Sequence, residues 1–290
     1  MRHAGRPAPK LKMLDRSIDK AARAQIAEGE SSALQGSRFA TFDVLGVPVA
    51  AVQIPDVIRQ VGCWIQACDA GHFITVTGMH GVMEAHHDAE FRQVLDAADL
   101  NVPDGMPLVW LARLRGHRLA RRVYGPELMS AVCDDGVARG YRHFLYGGGP
   151  TIAEKLADVL CARFPGISIV GTYSPSFGPV SPDEDRAQIE IINKSQADVV
   201  WVGLSTSKQE RWMFEHRDQL GASVLVGVGA AFDFHTGTKQ QAPQWMREHG
   251  LEWLFRLLQE PRRLWRRYFI YGGQFAWLAG VEEFRRRLRK

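Results

Sequence analysis

Four stretches of this 290-residue chain carry side chains suited to chemistry. In Asp99-Leu100-Asn101-Val102-Pro103-Asp104-Gly105-Met106-Pro107, a carboxylate stands directly before a glycine and is bracketed by two prolines. Proline fixes φ and glycine admits positive φ, so the segment predicts a tight turn with Asp104 at its tip. Such a turn is a rigid mount for a carboxylate, although Pro-Asp-Gly is also a common solvated turn. Gly147-Gly148-Gly149-Pro150-Thr151 runs from a strand into a helix. Free backbone N–H groups and the helix dipole would make it a phosphate cradle; an ordinary strand-to-helix turn is the plainer reading. It is neither GxGxxG nor a Walker A motif. Ser205-Thr206-Ser207-Lys208-Gln209-Glu210 opens a helix after a strongly apolar strand. Beyond Pro243, arginines alternate with tryptophan, tyrosine, phenylalanine and leucine, ending in Arg285-Arg286-Arg287-Leu288-Arg289-Lys290.

The elements that must position these residues follow from hydrophobic periodicity. Apolar positions at helical spacing predict helices over Ile54–Ala70, Val82–Ala98, Pro107–Arg118, Glu127–Ala138, Ile152–Phe164 and Glu184–Lys194. Short β-branched runs predict strands at Phe73–Thr77, Arg142–Tyr146, Ile167–Tyr173, Ala197–Leu204 and Ser223–Gly229, with a strand, turn and short strand over Thr41–Val49. Strand alternating with helix predicts a Rossmann-like α/β fold, a parallel sheet with helices on both faces. Ligands in such sheets bind beyond the carboxyl ends of the strands, so the turns after Thr77, Val102, Tyr146 and Gly203 are candidate site walls. The loop Ser174–Asp183, rich in proline and serine, is long enough for a flap.

Three regions are expected: a flexible extension over 1–38, an α/β core over 39–242 and a basic, aromatic helical appendage over 243–290. The net charge is +4 and the charge is concentrated near the C-terminus. No RNA-recognition motif accompanies the arginines, so nucleic acid is not an expected partner. Aromatic residues beside arginine suit a helix lying in a membrane interface, and a polybasic end adds attraction to anionic lipid. A helical appendage packed on its own domain is the alternative. No run approaches the ~20 apolar residues of a spanning helix, and the basic N-terminus lacks an apolar signal core. The expected location is cytoplasmic, against the inner face of the plasma membrane. Cys63, Cys68, Cys133 and Cys161 lack zinc-site spacing and are expected as reduced thiols.

Taken together, several segments resemble the WecG/TagA/CpsF family of bacterial glycosyltransferases. They are Val102-Pro103-Asp104-Gly105, Arg122-Val123-Tyr124-Gly125-Pro126-Glu127-Leu128-Met129, Gly203–Glu210, Gly227–Asp233, and Gly250–Leu257 with Glu260-Pro261. Their order and spacing are specific as a set. The resemblance implies inverting, metal-independent transfer of a sugar, N-acetylmannosamine-type, glucose or related, from a UDP-sugar to a polyprenyl-diphosphate-linked acceptor, with no cofactor. It implies a role in exopolysaccharide, capsule or teichoic-acid-like polymer synthesis. It places the base on Asp104, a substrate contact on Gln209, and appendage arginines on Arg256, Arg263 and Arg266. Guanidinium groups bind diphosphate in fork geometry and would stabilise a leaving UDP. Gly147, Gly148, Gly149, Lys208 and Asp233 become the candidates for the nucleotide. Family members show Thr-x-Asn after the early strand; here the asparagine position holds Gly78 and the threonine position Val76, with Thr77 or His80 as the substitutes for a substrate contact. A homo-oligomer whose exchange controls the appendage is a candidate partner. The rival readings are another nucleotide-sugar enzyme, such as an epimerase or dehydrogenase, and a non-catalytic membrane-associated module. A dinucleotide site would need a GxGxxG motif that is absent.

Overall fold

A computed structural model describes residues 39–176, 178 and 180–288, the side chains of Glu248 and Arg263 excepted. The expected extension over 1–38 lies outside the described residues. The described residues make one compact unit. It begins with a hairpin, β1 (Thr41–Val44) paired antiparallel with β2 (Val47–Ala50), whose Phe42, Val44, Val47 and Val49 all face inward. Then follow α1 (Ile54–Gln66), β3 (His72–Thr77), α2 (Met79–His87), α3 (Ala89–Asp96) and β4 (Leu100–Pro103). After β4 come α4 (Met106–Leu114), α5 (Gly125–Arg139), β5 (Arg142–Gly147), α6 (Ile152–Arg163) and β6 (Ser168–Tyr173). The second half holds α7 (Pro182–Ser195), β7 (Val199–Gly203), α8 (Lys208–His216), β8 (Val224–Gly227) and α9 (Ala231–His235).

Strands β3 to β8 form one parallel sheet in the order β4-β3-β8-β7-β5-β6. All their carboxyl ends therefore lie on one edge, and β3 meets β8 although some 150 residues separate them. The central strands read as unbroken apolar runs because both faces are covered. On one face, Val61, Val132 and Leu156 from α1, α5 and α6 pack on Val199, Trp201 and Val226. On the other, Ile192 and Met213 from α7 and α8 pack on Phe144, Val200 and Leu225. Thus the expected Rossmann-like sheet with helices on both faces is present.

Three expected helices differ in extent. The first stops at Gln66 rather than Ala70, since Cys68 takes φ +53° and cannot continue it. The run Val82–Ala98 is two helices broken at Asp88, which is extended (φ −127°, ψ 103°) and caps α3 by accepting from the Phe91 N–H. The apolar spacing continues across the break, so periodicity alone reads one helix. The third ends at Leu114 rather than Arg118. The stretch around Asp104 is also not wholly a turn, because Leu100–Pro103 is a strand. It lies at the edge of the sheet, where a proline costs no ladder bond to a further strand.

Past Pro243 the chain is helical: α10 (Gln244–Glu248), α11 (Glu252–Gln259), α12 (Pro261–Trp265), a π-helical segment (Arg266–Tyr271) and α13 (Gly272–Leu288). Phe275 and Ala279 of α13 share a buried cluster with Val82, Phe91, Leu108 and Val109. Arg115, just after α4, is 3% exposed and pairs with Glu283 and, at 3.3 Å, with Glu282. No described helix is long and apolar enough to cross a membrane.

Candidate active site

The carboxyl edge of β3 and β4 brings Thr77 and Pro103 into register as neighbours. The Asp104 N–H donates to the Thr77 carbonyl at 2.9 Å. Gly105 follows with φ +89°, a region that side-chain-bearing residues rarely adopt, and turns the chain into α4. Asp104 therefore leaves the sheet at a corner fixed on both sides. Gly78 faces it: a Cβ there would stand 3.1 Å from the Asp104 carbonyl oxygen. The glycine in place of the family's asparagine thus lets two site walls approach closely.

Arg122, in the loop before α5, sits between two acids. Its Nη1 is 3.5 Å from Asp104 Oδ1, and its Nη2 donates to Glu252 Oε2 in a very short contact. Tyr124 stacks under the guanidinium at 4.2 Å and donates its hydroxyl to Glu252 Oε1 at 3.2 Å, while Gln241 donates to Tyr124 at 3.0 Å. Asp104 is 31% exposed as a side chain, yet its Oδ1 is shut off from solvent and has no hydrogen-bond donor among the described residues. Lost hydration holds the Asp104 carboxyl above the usual carboxylate range, with Glu252 adding to the rise against Arg122, Arg256 and Arg267.

His80, in the first turn of α2, stacks on Tyr271 at 5.9 Å and has Nε2 3.5 Å from Glu84 Oε2. Burial lowers its pKa to about 4, helped by Arg267 and Arg256, so the imidazole is neutral at pH 7. The His80–Tyr271 and Arg122–Glu252 contacts bring the ends of β3 and β4 against the C-terminal helices, and the Arg256 and Arg267 charges act on both Asp104 and His80 in this recess. Arg256 lies half-buried on α11, and its charge acts on both groups. Arg266 lies over the Trp265 ring at 5.8 Å, and the charge of Arg267 beside it acts on His80 and Asp104. Both residues lie in the π-helical segment. Arg263 lies on α12, its side chain outside the described set.

Thr77 is 3% exposed and ends an internal chain of hydroxyls. Thr75 donates to Asn101 Oδ1 at 2.6 Å, and Asn101 donates to the Leu95 and Pro48 carbonyls. Thr75 has one proton, already given, so the 2.6 Å contact between the threonines is donated by Thr77. What remains to a ligand is an accepting lone pair. Neither this chain nor its depth is visible in the motif.

Gln209 is also buried. Its Oε1 accepts from the Gly229 N–H and its Nε2 donates to Glu210 Oε1, both at 2.9 Å, which fixes the amide and leaves one N–H to offer. Glu210 is 2% exposed, and its Oε2 has no partner among the described residues. Burial, with Glu84 adding like charge, pushes its carboxyl up to about 7. The unfolded chain releases this proton near the ordinary glutamate range, so the folded state binds more protons in between. Stability contributed below that range is lost as pH rises through about 7, by about 3 kcal/mol. Glu210→Gln is expected to abolish this loss: urea melts of the two proteins should coincide near pH 4, and the variant should be the more stable near pH 8.

At the far end of the edge, the Gly148 N–H donates to the Gly203 carbonyl and the Gly147 carbonyl accepts from Ser174 Oγ. Gly149 and Thr151 keep N–H groups with no backbone acceptor among the described residues. By strand spacing this turn lies about 19 Å from Asp104. Lys208 is exposed at the start of α8, and Asp233 on α9 pairs with Lys239 at 2.7 Å.

The family model for "Glycosyl transferase WecG/TagA/CpsF family" matches residues 42–289. The chain belongs to this family. It is a glycosyltransferase. It is 32% identical over 197 residues to a protein of Bacillus spizizenii named N-acetylglucosaminyldiphosphoundecaprenol N-acetyl-beta-D-mannosaminyltransferase, covering 68% of this chain and 74% of that one. A Staphylococcus aureus protein of the same name is 25% identical over 232 residues, 79% of this chain and 89% of its own. Sequence reasoning overlooked Glu252, Tyr124, Arg267 and Glu84. Glu252 and Tyr124 stand in matched segments, but no spacing links residues 128 apart.

Proposed function

We propose that the protein transfers an N-acetylmannosamine-type sugar from a UDP donor to a polyprenyl-diphosphate-linked N-acetylglucosamine, with inversion and without a metal, in cell-envelope polymer synthesis. The relatives' names supply the sugar and the lipid-linked acceptor. The observation that carries the chemistry is the Asp104 carboxyl, held at a corner of the edge, part-exposed, with no hydrogen bond to its Oδ1 among the described residues and within reach of the Arg256 and Arg267 charges.

In this reading Asp104 removes the proton of the attacking acceptor hydroxyl, and a carboxyl above its usual range is the stronger base for that step. Single-step attack from the face opposite the leaving group inverts the anomeric centre. Arg256 and Arg267, with Arg263 and Arg266 on the same stretch, neutralise charge on the departing diphosphate. Neutral His80, Thr77 and the remaining Gln209 N–H contact the sugars. The Gly147–Gly149 turn, Lys208 and Asp233 receive the nucleotide, which is long enough to reach along the edge. The test is a donor screen with a short polyprenyl-diphosphate-linked N-acetylglucosamine acceptor. UDP-N-acetylmannosamine should be turned over, and undiminished in excess chelator. UDP release from no donor would sink the reading.

In this reading the C-terminal helices hold the site against the inner membrane leaflet. Trp277, Phe284 and Leu288 are 73%, 64% and 72% exposed, and Phe269 is 63% exposed, beside Arg285, Arg286 and Arg287. Exposed aromatics beside arginines fit the lipid interface, where a lipid-linked acceptor resides. The full chain should float with anionic vesicles and remain at the bottom with neutral ones. Trp277→Ser combined with Phe284→Ser should lose flotation and keep the fold, as judged by circular dichroism. Unchanged flotation would assign those side chains to contacts between copies of the chain, which sedimentation would reveal.

A further inference from the structure

Glu252 is the one acid that the C-terminal segment sends into the recess beside Asp104 among the described residues, and it is 7% exposed. It enters at the first position of α11, where it meets Arg122 and Tyr124 from the loop before α5. A guanidinium beside a carboxylate ordinarily closes on it with paired N–H···O bonds. Here Arg122 closes on Glu252 instead, and Asp104 is left at 3.5 Å with its oxygen unbonded. The Tyr124 ring beneath the guanidinium and its hydroxyl on Glu252 hold the arrangement, and Gln241 orients that hydroxyl.

We propose that Glu252 is a positioning residue for the base: by taking the Arg122 guanidinium it keeps the Asp104 carboxylate free of a charge-paired hydrogen bond and so able to take the acceptor's proton. The proposal rests on the reading of Asp104 as base. Without the Glu252 carboxylate, Arg122 is free to swing onto Asp104. The guanidinium would then bond the carboxylate directly, and an opposite charge in contact lowers a carboxylate's proton affinity. The charged and titratable groups facing Asp104 are Arg122, Glu252, Arg256 and Arg267, with Tyr124 behind Arg122. Of these only Glu252 acts to strengthen the base, and the three arginines act against it. Because Glu252 belongs to the segment that also brings Arg256 and Arg267, a docked C-terminal segment supplies the cations for the leaving group and offsets their effect on the base in one movement.

The test compares pH profiles of kcat/KM for the full-length protein, Glu252→Gln, Arg122→Gln and Asp104→Asn, with UDP-N-acetylmannosamine and the short lipid-linked acceptor. Glu252→Gln is isosteric. Its acid limb should move down by about one pH unit, and its plateau kcat should fall about tenfold with KM within about threefold. Arg122→Gln should move the limb in the opposite direction, so the inference stays testable if the first variant folds poorly. A purely structural role for Glu252 would lower activity at every pH and leave the limb in place. An unmoved limb in Glu252→Gln or in Arg122→Gln, with Asp104→Asn inactive, overturns the inference alone. Activity retained in Asp104→Asn overturns the base reading, and the inference with it.

Discussion

Asp104→Asn is expected to lower turnover about a thousandfold while leaving donor affinity within about threefold of the parent. The substitution keeps the shape of the side chain, its N–H bond to Thr77 and the turn at Gly105, none of which involves the carboxylate. It removes only the ability to take a proton. An acceptor hydroxyl is a poor nucleophile until its proton leaves, and removing a positioned base commonly costs between about a hundredfold and ten-thousandfold. The parent enzyme should also lose activity as the pH falls through the Asp104 range, which lies above that of an ordinary aspartate because the carboxyl has lost its water. Initial rates of transfer at saturating donor, with donor affinity by calorimetry, provide the check. A loss below about tenfold would place the base elsewhere. His80, neutral and in the same recess, would then be the residue to replace.

Gly147→Ala is expected to destabilise the protein by at least about 4 kcal/mol. Gly147 is the last residue of β5 and takes φ +122°, outside the range open to alanine. A Cβ there would stand 2.6 Å from the Gly203 carbonyl oxygen and 2.9 Å from its nitrogen, and backbone in the middle of a sheet cannot step aside. The contrast is Gly149→Ala, whose Cβ would meet only Ile152 at 3.8 Å. That variant should unfold within about 0.5 kcal/mol of the parent. Any loss of donor affinity in it reports on the turn as an anion cradle, separated from the fold. Chemical denaturation of both variants settles the first point, and donor titration of Gly149→Ala the second. A stable Gly147→Ala protein would mean that the β5–β7 edge is looser than described.

These outcomes bear on how far the chain could be read unaided. The glycine run was legible as a turn opening a helix, and its use by phosphate was the attractive reading. Yet Gly147 and Gly148 have a packing reason of their own, since Cβ atoms there would meet Gly203 and Ile152. Turn chemistry is local and shows in the sequence; close approach between strands some 56 residues apart is not. The break at Asp88 is similar. Its apolar spacing continues through the break, and only the extended backbone and the capping bond to Phe91 divide the helices.

By itself the sequence determined the alternation of strand and helix, the rigid corner at Asp104 and the family, because each depends on residue type at short range or on motifs in order. Only the tertiary structure decided which charges share a recess. Arg122, Glu252 and Tyr124 meet because α11 returns to the loop before α5, and the Arg256 and Arg267 charges reach Asp104 and His80 from the C-terminal helices. The strength of a base depends on water lost and charges gained over a few ångströms. Residues far apart in the chain supply both, so the protonation of Asp104, His80 and Glu210 is a property of the folded packing and not of any motif.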